Sequence, residues 1–221
     1  MGIPRWAAFA GVATPVLFLT CVFGLGALEP GYDHRTLTMS VLGGVGGVRG
    51  LLFNLGVGGV GVLILLFGLG LRRALGRGRG NAIGVGLMLL AGAGMLGSAA
   101  VPCEAGCVNV LREPDLAGRV HIVTSLLGGM GLGLAPLVLF APFKRDERWS
   151  ELAWPTLIFG LVSNLAGVTL WLSLATTRIP AWEGVLQRAG AIAPLLWLGY
   201  LGLWALRSPP RPGPREAPSS A

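Results

Sequence analysis

The run Gly50–Leu71 reads GLLFNLGVGGVGVLILLFGLGL. It carries no charged side chain, and as an α-helix it is long enough to cross a hydrocarbon core of about 30 Å. In lipid every backbone N–H and C=O must be satisfied within the protein, and a helix does this locally. Five further runs, each uncharged over about 18 residues or more, have the same character. Together they predict helices over roughly 6–28, 50–71, 80–102, 119–143, 152–177 and 187–206. The first could be mistaken for a signal peptide, but it exceeds the apolar core of about 7–15 residues that such peptides use.

Composition agrees. Of 221 residues, 53% are hydrophobic and only 12% charged, against about 25% charged in a soluble domain. The 37 glycines read as packing positions, since small residues let helices approach in a membrane. Gly129/Gly133, Ala93/Gly97 and Gly94/Ser98 are small-xxx-small pairs of this kind. The expected fold is an all-α membrane protein, a six-transmembrane-helix bundle forming one domain over residues 1–207. A Pro-rich tail, 208–221, is expected to be disordered. Asn81, Asp115 and Ser150 are candidate N-caps for the third, fourth and fifth segments.

Charge sets the expected orientation. The N-terminus, the loops 72–79 and 144–151 and the tail hold eleven of the seventeen basic residues and four of the ten acids. The alternate set of loops holds six of each, so the whole net charge of +7 lies on one side. The positive-inside rule places that side, with both termini, in the cytoplasm of an inner (plasma) membrane protein. Loops 29–49, 103–119 and 178–188 are then extracytoplasmic. The basic balance is accounted for by anionic lipid and calls for no nucleic acid.

Polar groups gather on the extracytoplasmic side. The stretch Glu29–Ser40, EPGYDHRTLTMS, holds Tyr32, Asp33, His34 and Ser40. Asn54 lies one turn into the second segment. His121, Thr124 and Ser125 share a face at the start of the fourth, and Gln187 and Arg188 open the sixth. Asn164 follows Ser163 within the fifth. Polar side chains are costly in lipid and tend to face a bundle interior or a water-filled cavity, so together they suggest an outward-facing pocket. Each also has a plainer role: Asn54 and Asn164 as interhelical hydrogen-bond glue, Thr124 and Ser125 bonded back to their own helix, Arg188 reaching to headgroups.

Cys103 and Cys107 are spaced for a disulfide, the default in an oxidising compartment; were the segment helical, their Cα atoms would be about 6 Å apart. A zinc site using both cysteines with His34 and His121 is the alternative. Because nothing in the spacing brings the histidines together, no metal or other cofactor is expected.

In combination, Pro30-Gly-Tyr-Asp-His34, Ser40-Val-Leu-Gly43, Asn54, His121-x-x-x-Ser125 and Gly184-Val-Leu-Gln-Arg188 resemble a bacterial and archaeal membrane-protein family, domain of unknown function 998. The resemblance spans about residues 9–206. It implies a compact bundle of about six helices and brings no reaction with it.

The leading expectation is a pocket that binds a lipid headgroup or a small amphipathic molecule, with membrane lipids as partners. Tyr32, Asp33, His34, Ser40, Asn54, His121, Ser125, Asn164, Gln187 and Arg188 are its candidate ligand-binding residues. An enzyme is the alternative, with His121 as base, Asp33 or Glu104 orienting it and Ser40 or Ser125 as nucleophile. A transporter or an accessory subunit ranks below both. The inner halves of the first three segments are almost purely apolar, and no repeat relates the two halves of the chain.

Overall fold

The computed structural model describes residues 2–103, 107, 115–176 and 180–208. Six helices are long and apolar enough to cross a membrane: α1 (Arg5–Leu28), α3 (Gly47–Ala74), α4 (Arg79–Ala100), α5 (Leu116–Arg145), α6 (Ser150–Thr176) and α7 (Glu183–Arg207). A short helix, α2 (Ser40–Gly44), lies between the first two. No strand occurs among the described residues. The chain is a multi-pass membrane protein.

Several helices outrun the uncharged runs that announce them. α3 begins at Gly47 and includes Arg49, and α7 begins at Glu183, so Arg188 sits in its second turn. Hydrophobicity measures the thickness of the lipid, whereas the helix continues as long as its hydrogen-bond ladder does. Asp115 caps α5 as its sequence position suggests, accepting from the Gly118 N–H at 2.7 Å. Asn81 does not cap α4. That helix starts earlier, after Gly78, and the Asn81 amide instead donates to the Gly76 carbonyl at 2.9 Å.

The six long helices form a ring in sequence order. Each packs on its neighbours in the chain, and α1 closes the ring against α7. Glycine permits the closest approaches. A Cβ on Gly61 of α3 would lie 2.8 Å from the Gly92 carbonyl of α4, and one on Gly92 would lie equally close to the Gly61 carbonyl. The two backbones therefore touch, as small residues allow in lipid. The Gly129/Gly133 pair is used at one end only: Gly133 packs on Ser163 and Asn164 of α6, while a side chain at Gly129 would meet open space. Large apolar side chains fill the interior, among them Phe67, Met88, Leu139 and Trp197. Others face outward in stripes, such as Ile158, Leu161, Leu165, Val168 and Leu172 on α6, as expected where the surrounding solvent is hydrocarbon.

The two ends of the ring differ. Arg72 and Arg73, Lys144 and Arg145, and Arg207 stand in the last turns of α3, α5 and α7. There they also complement the negative ends of the helix dipoles. Aromatic rings lie beneath this basic end, with Arg73 over Trp6 at 5.5 Å and Lys144 over Trp154 at 5.2 Å. The other end carries the segment 29–46 with α2, and Cys103.

Candidate functional site

The site begins with an irregularity in α1. Residues Thr20–Leu25 are π-helical, a form that occurs mostly as single turns and often at functional positions. The helix ends at Leu28. Gly31, at φ 75°, turns the chain back in a conformation that side chains other than glycine's disfavour.

Asp33 then fastens the loop to itself. Its carboxylate accepts from the Arg35 N–H at 2.9 Å and the Thr36 hydroxyl at 3.0 Å. These two donors hold its carboxyl below the usual carboxylate range. Tyr32 donates its hydroxyl to the Thr38 carbonyl at 3.0 Å. Burial pushes the Tyr32 phenol up, and the Arg188 charge partly opposes the change.

Arg188 ties this loop to α7. Its Nη1 donates to the carbonyls of His34 at 2.6 Å, Leu37 at 3.0 Å and Gly184 at 2.8 Å, and its Nη2 to the Tyr32 hydroxyl at 2.5 Å. Neighbouring bonds support the same docking. Gln187 Oε1 accepts from the Met39 N–H, and the Val185 N–H donates to the Arg35 carbonyl at 3.2 Å. Gly184 leaves room for the loop, since a Cβ there would lie 2.5 Å from the carbonyl oxygens of both His34 and Leu37. Arg188 is only 5% exposed, and among the described residues no carboxylate pairs with it.

The His34 ring packs edge-on to Tyr32 at 5.1 Å and against Phe23 at 5.2 Å. Gly26 gives it space. Burial, and then the positive charge of Arg188, push its imidazole below the usual range, against the pull of Asp33. Two polar atoms here are buried without a hydrogen-bond partner among the described residues: His34 Nδ1 and Arg188 Nε. Both residues line an open cleft of about 530 Å³, with Phe23, Val185 and Ala189 as apolar walls and Asp33 and Arg35 at the loop.

The other expected site residues lie elsewhere or serve local bonds. Ser40 opens α2; its hydroxyl is 3.2 Å from that of Thr38, and its carbonyl is 3.6 Å from Cys103 Sγ. Asn54 holds α2 to α3 by donating to the Gly43 carbonyl at 3.1 Å. His121 Nδ1 is 3.0 Å from the Val101 carbonyl, which places the proton on Nδ1 in the neutral ring. Thr124 bonds back to Val120 and His121 within α5, and Ser125 is exposed. Asn164 donates to the Gly133 carbonyl at 2.8 Å, and Ser163 to that of Gly190 at 2.7 Å. Among the described residues, no hydrogen bond or ion pair joins Asp33 to His121; Glu104 lies outside them.

Cys103 and Cys107 stand at disulfide distance, with Cα atoms 5.3 Å apart. Cys107 has φ 52°. Among the described residues no group of three His, Cys, Asp or Glu side chains could hold a metal ion.

A family model described as a protein of unknown function, DUF998, matches residues 12–204. The chain belongs to the DUF998 family. The DUF998 match takes in all the residues of the cleft and every long helix in whole or large part. No curated protein and no solved structure matches the chain. Sequence reasoning singled out Tyr32, Asp33, His34, Gln187 and Arg188, and quoted Val185 only within the Gly184–Arg188 motif; it did not single out Phe23 or Gly26. Nothing distinguishes these two in a chain so rich in apolar residues and glycine.

Proposed function

We propose that this DUF998 protein binds the anionic headgroup of an amphiphile in the cleft between α1 and α7. The single observation that carries the reading is that His34 and Arg188, each with one buried polar atom lacking a hydrogen-bond partner among the described residues, line the same cleft. Buried polar groups are almost always satisfied by protein, water or ligand, and a phosphate or carboxylate supplies acceptor oxygens for a guanidinium N–H. The cleft's remaining walls suit the rest of such a molecule. Phe23 and Val185 are exposed apolar side chains on membrane-crossing helices, so a hydrocarbon tail has a path from the lipid. Tyr32 and Gln187 act as positioning residues that hold the loop against α7. By the positive-inside rule the cleft faces the extracytoplasmic leaflet of the plasma membrane.

The test is binding of decyl phosphate to the detergent-solubilised chain by native mass spectrometry, with decyl maltoside as the neutral control. The phosphate is expected to bind and the maltoside not to compete. Val185→Trp narrows the cleft from a partly exposed wall position and should abolish binding while leaving the fold intact. Binding that persists in Val185→Trp, or equal binding of the neutral amphiphile, would overturn the reading.

A further inference from the structure

The basic end of the bundle holds the chain's one lysine, Lys144. It stands exposed in the last turn of α5, one turn after Phe140. Its ammonium lies 5.7 Å from the Phe140 ring and 5.2 Å from that of Trp154, near the start of α6. The two rings are themselves 5.4 Å apart. Trp154 is 58% exposed, so this cluster sits on the outside of the ring of helices, where α5 meets α6. A lysine at a membrane surface ordinarily reaches toward water on a free stem. This one is kept over the α5–α6 seam by two aromatic faces.

Its charge is open to a ligand. Among the described residues no carboxylate pairs with Lys144 or with its exposed neighbour Arg145. The acids nearby are engaged elsewhere: Asp146 accepts from the Arg148 N–H at 3.0 Å and lies 3.7 Å from Arg148 Nε, and Glu151 accepts from the Trp204 indole. Glu147, in the turn between the helices, is exposed. Beneath the ammonium, Trp154, Ile158, Leu161 and Leu165 recur at the spacing of one helix face, and all four are exposed. Of the six long helices α6 is the least covered by protein. The rise from Trp154 to Leu165 is about 16 Å, the depth of one leaflet in a hydrocarbon core of about 30 Å.

The geometry points to a seat for one glycerophospholipid of net negative charge on this face. Its phosphate meets the Lys144 ammonium, and one acyl chain lies along Trp154, Ile158, Leu161 and Leu165 to mid-membrane. Charge selects the headgroup. A zwitterionic lipid brings an ammonium of its own against Lys144 and Arg145, whereas an anionic one leaves its phosphate's charge for them to neutralise. A basic end attracts anionic lipid in general; here two rings fix the cation, so one lipid is held at one seam. The seat lies at the opposite end of the bundle from the α1–α7 cleft and does not depend on the function proposed for that cleft.

A single lysine makes the seat directly readable. The test is acylation of Lys144 by a water-soluble N-hydroxysuccinimide ester, with the full chain in nanodiscs and each amine followed by peptide mass. One set of discs is dioleoyl phosphatidylcholine, and the other mixes it with dioleoyl phosphatidylglycerol. Negative lipid slows the acylation of every amine within a Debye length, so Arg145→Lys supplies a reference amine one residue away in the same molecule. Phosphatidylglycerol is expected to slow Lys144 about threefold or more beyond that reference, the scale of a partly exposed ion pair. Trp154→Leu removes one of the rings that fix the cation from an exposed position. It should abolish the extra protection in a chain that still elutes as the wild type does, while Val185→Trp, at the other end, should preserve it. Equal slowing of the two amines, greater protection in phosphatidylcholine alone, or extra protection that survives Trp154→Leu would overturn the inference.

Discussion

Arg188 donates from Nη1 to the carbonyl oxygen of His34 at 2.6 Å, joining the last membrane helix to the first loop across 154 positions of sequence. The buried guanidinium is met by carbonyl dipoles and a phenol rather than by a described carboxylate. Its charge is solvated by the loop it holds, and the geometry of that loop depends on it.

Replacing Arg188 should therefore release residues 32–39. Arg188→Ala is expected to cost about 2–4 kcal/mol, because two loop carbonyls and the Tyr32 hydroxyl lose a charged donor in a covered site. Arg188→Lys should recover only part of this, since an ammonium lacks the planar fork that reaches both the carbonyls and Tyr32. Thermal unfolding in detergent measures the ranking, wild type above Lys above Ala.

Gly184→Ala should have a comparable effect without any change of charge. The new methyl would meet two backbone carbonyl oxygens at 2.5 Å, and backbone cannot move aside as a side-chain tip can. A loss of about 1–3 kcal/mol is expected. Labelling of a cysteine placed at Thr36 should become faster than in the parent if the loop has lifted.

The imidazole of His34 is held below its usual range, and the sign of the pH effect follows. The unfolded chain takes up the proton first, so the stability that His34 confers is complete above about pH 6.5 and falls as the pH drops below it. A descent from pH 8 to pH 5 should lower the unfolding temperature of the wild type more than that of His34→Gln. Equal slopes for the two proteins would show that this ring is not the responsive group.

Asn164 tests the difference between glue and site. Its amide bridges α5 and α6 in mid-membrane, where such bonds contribute about 0.6–1.7 kcal/mol. Asn164→Ala should lower stability on that scale and leave decyl phosphate binding unchanged.

The orientation has its own check. A cysteine at Thr36 should react with a membrane-impermeant maleimide in intact cells, and one at Arg77, in the basic loop, only after permeabilisation. The reverse pattern would invert the protein and move the cleft to the cytoplasmic leaflet.

The six crossings were legible because lipid imposes a length and forbids unpaired backbone, and both constraints are written in runs such as 50–71. Helix ends were less legible. Arg49 and Arg188 interrupt the uncharged runs, although the hydrogen-bond ladder continues through them. Within the site, Tyr32, His34 and Arg188 were visible as polar residues in apolar surroundings, and they meet. His121 and Asn54 looked equivalent on those grounds, yet the ring order places α5 between α4 and α6, and each side chain takes a nearby carbonyl. Sequence records how deep a residue lies along a helix, but not which way it faces around the ring. For the same reason Gly26 could not be told from the other glycines of a chain that contains 37.

The closure of the ring by its first and last helices has a consequence for biosynthesis. When Glu29–Met39 emerges from the ribosome, the residues that will hold it are still some 150 codons away. Five helices must enter the bilayer with that loop untethered, and α1 must keep one flank open until α7 arrives. The last helix is then the step that completes both α1 and its loop, so a nascent chain stopped before residue 183 would display an unclasped first loop to the cell's quality-control proteases.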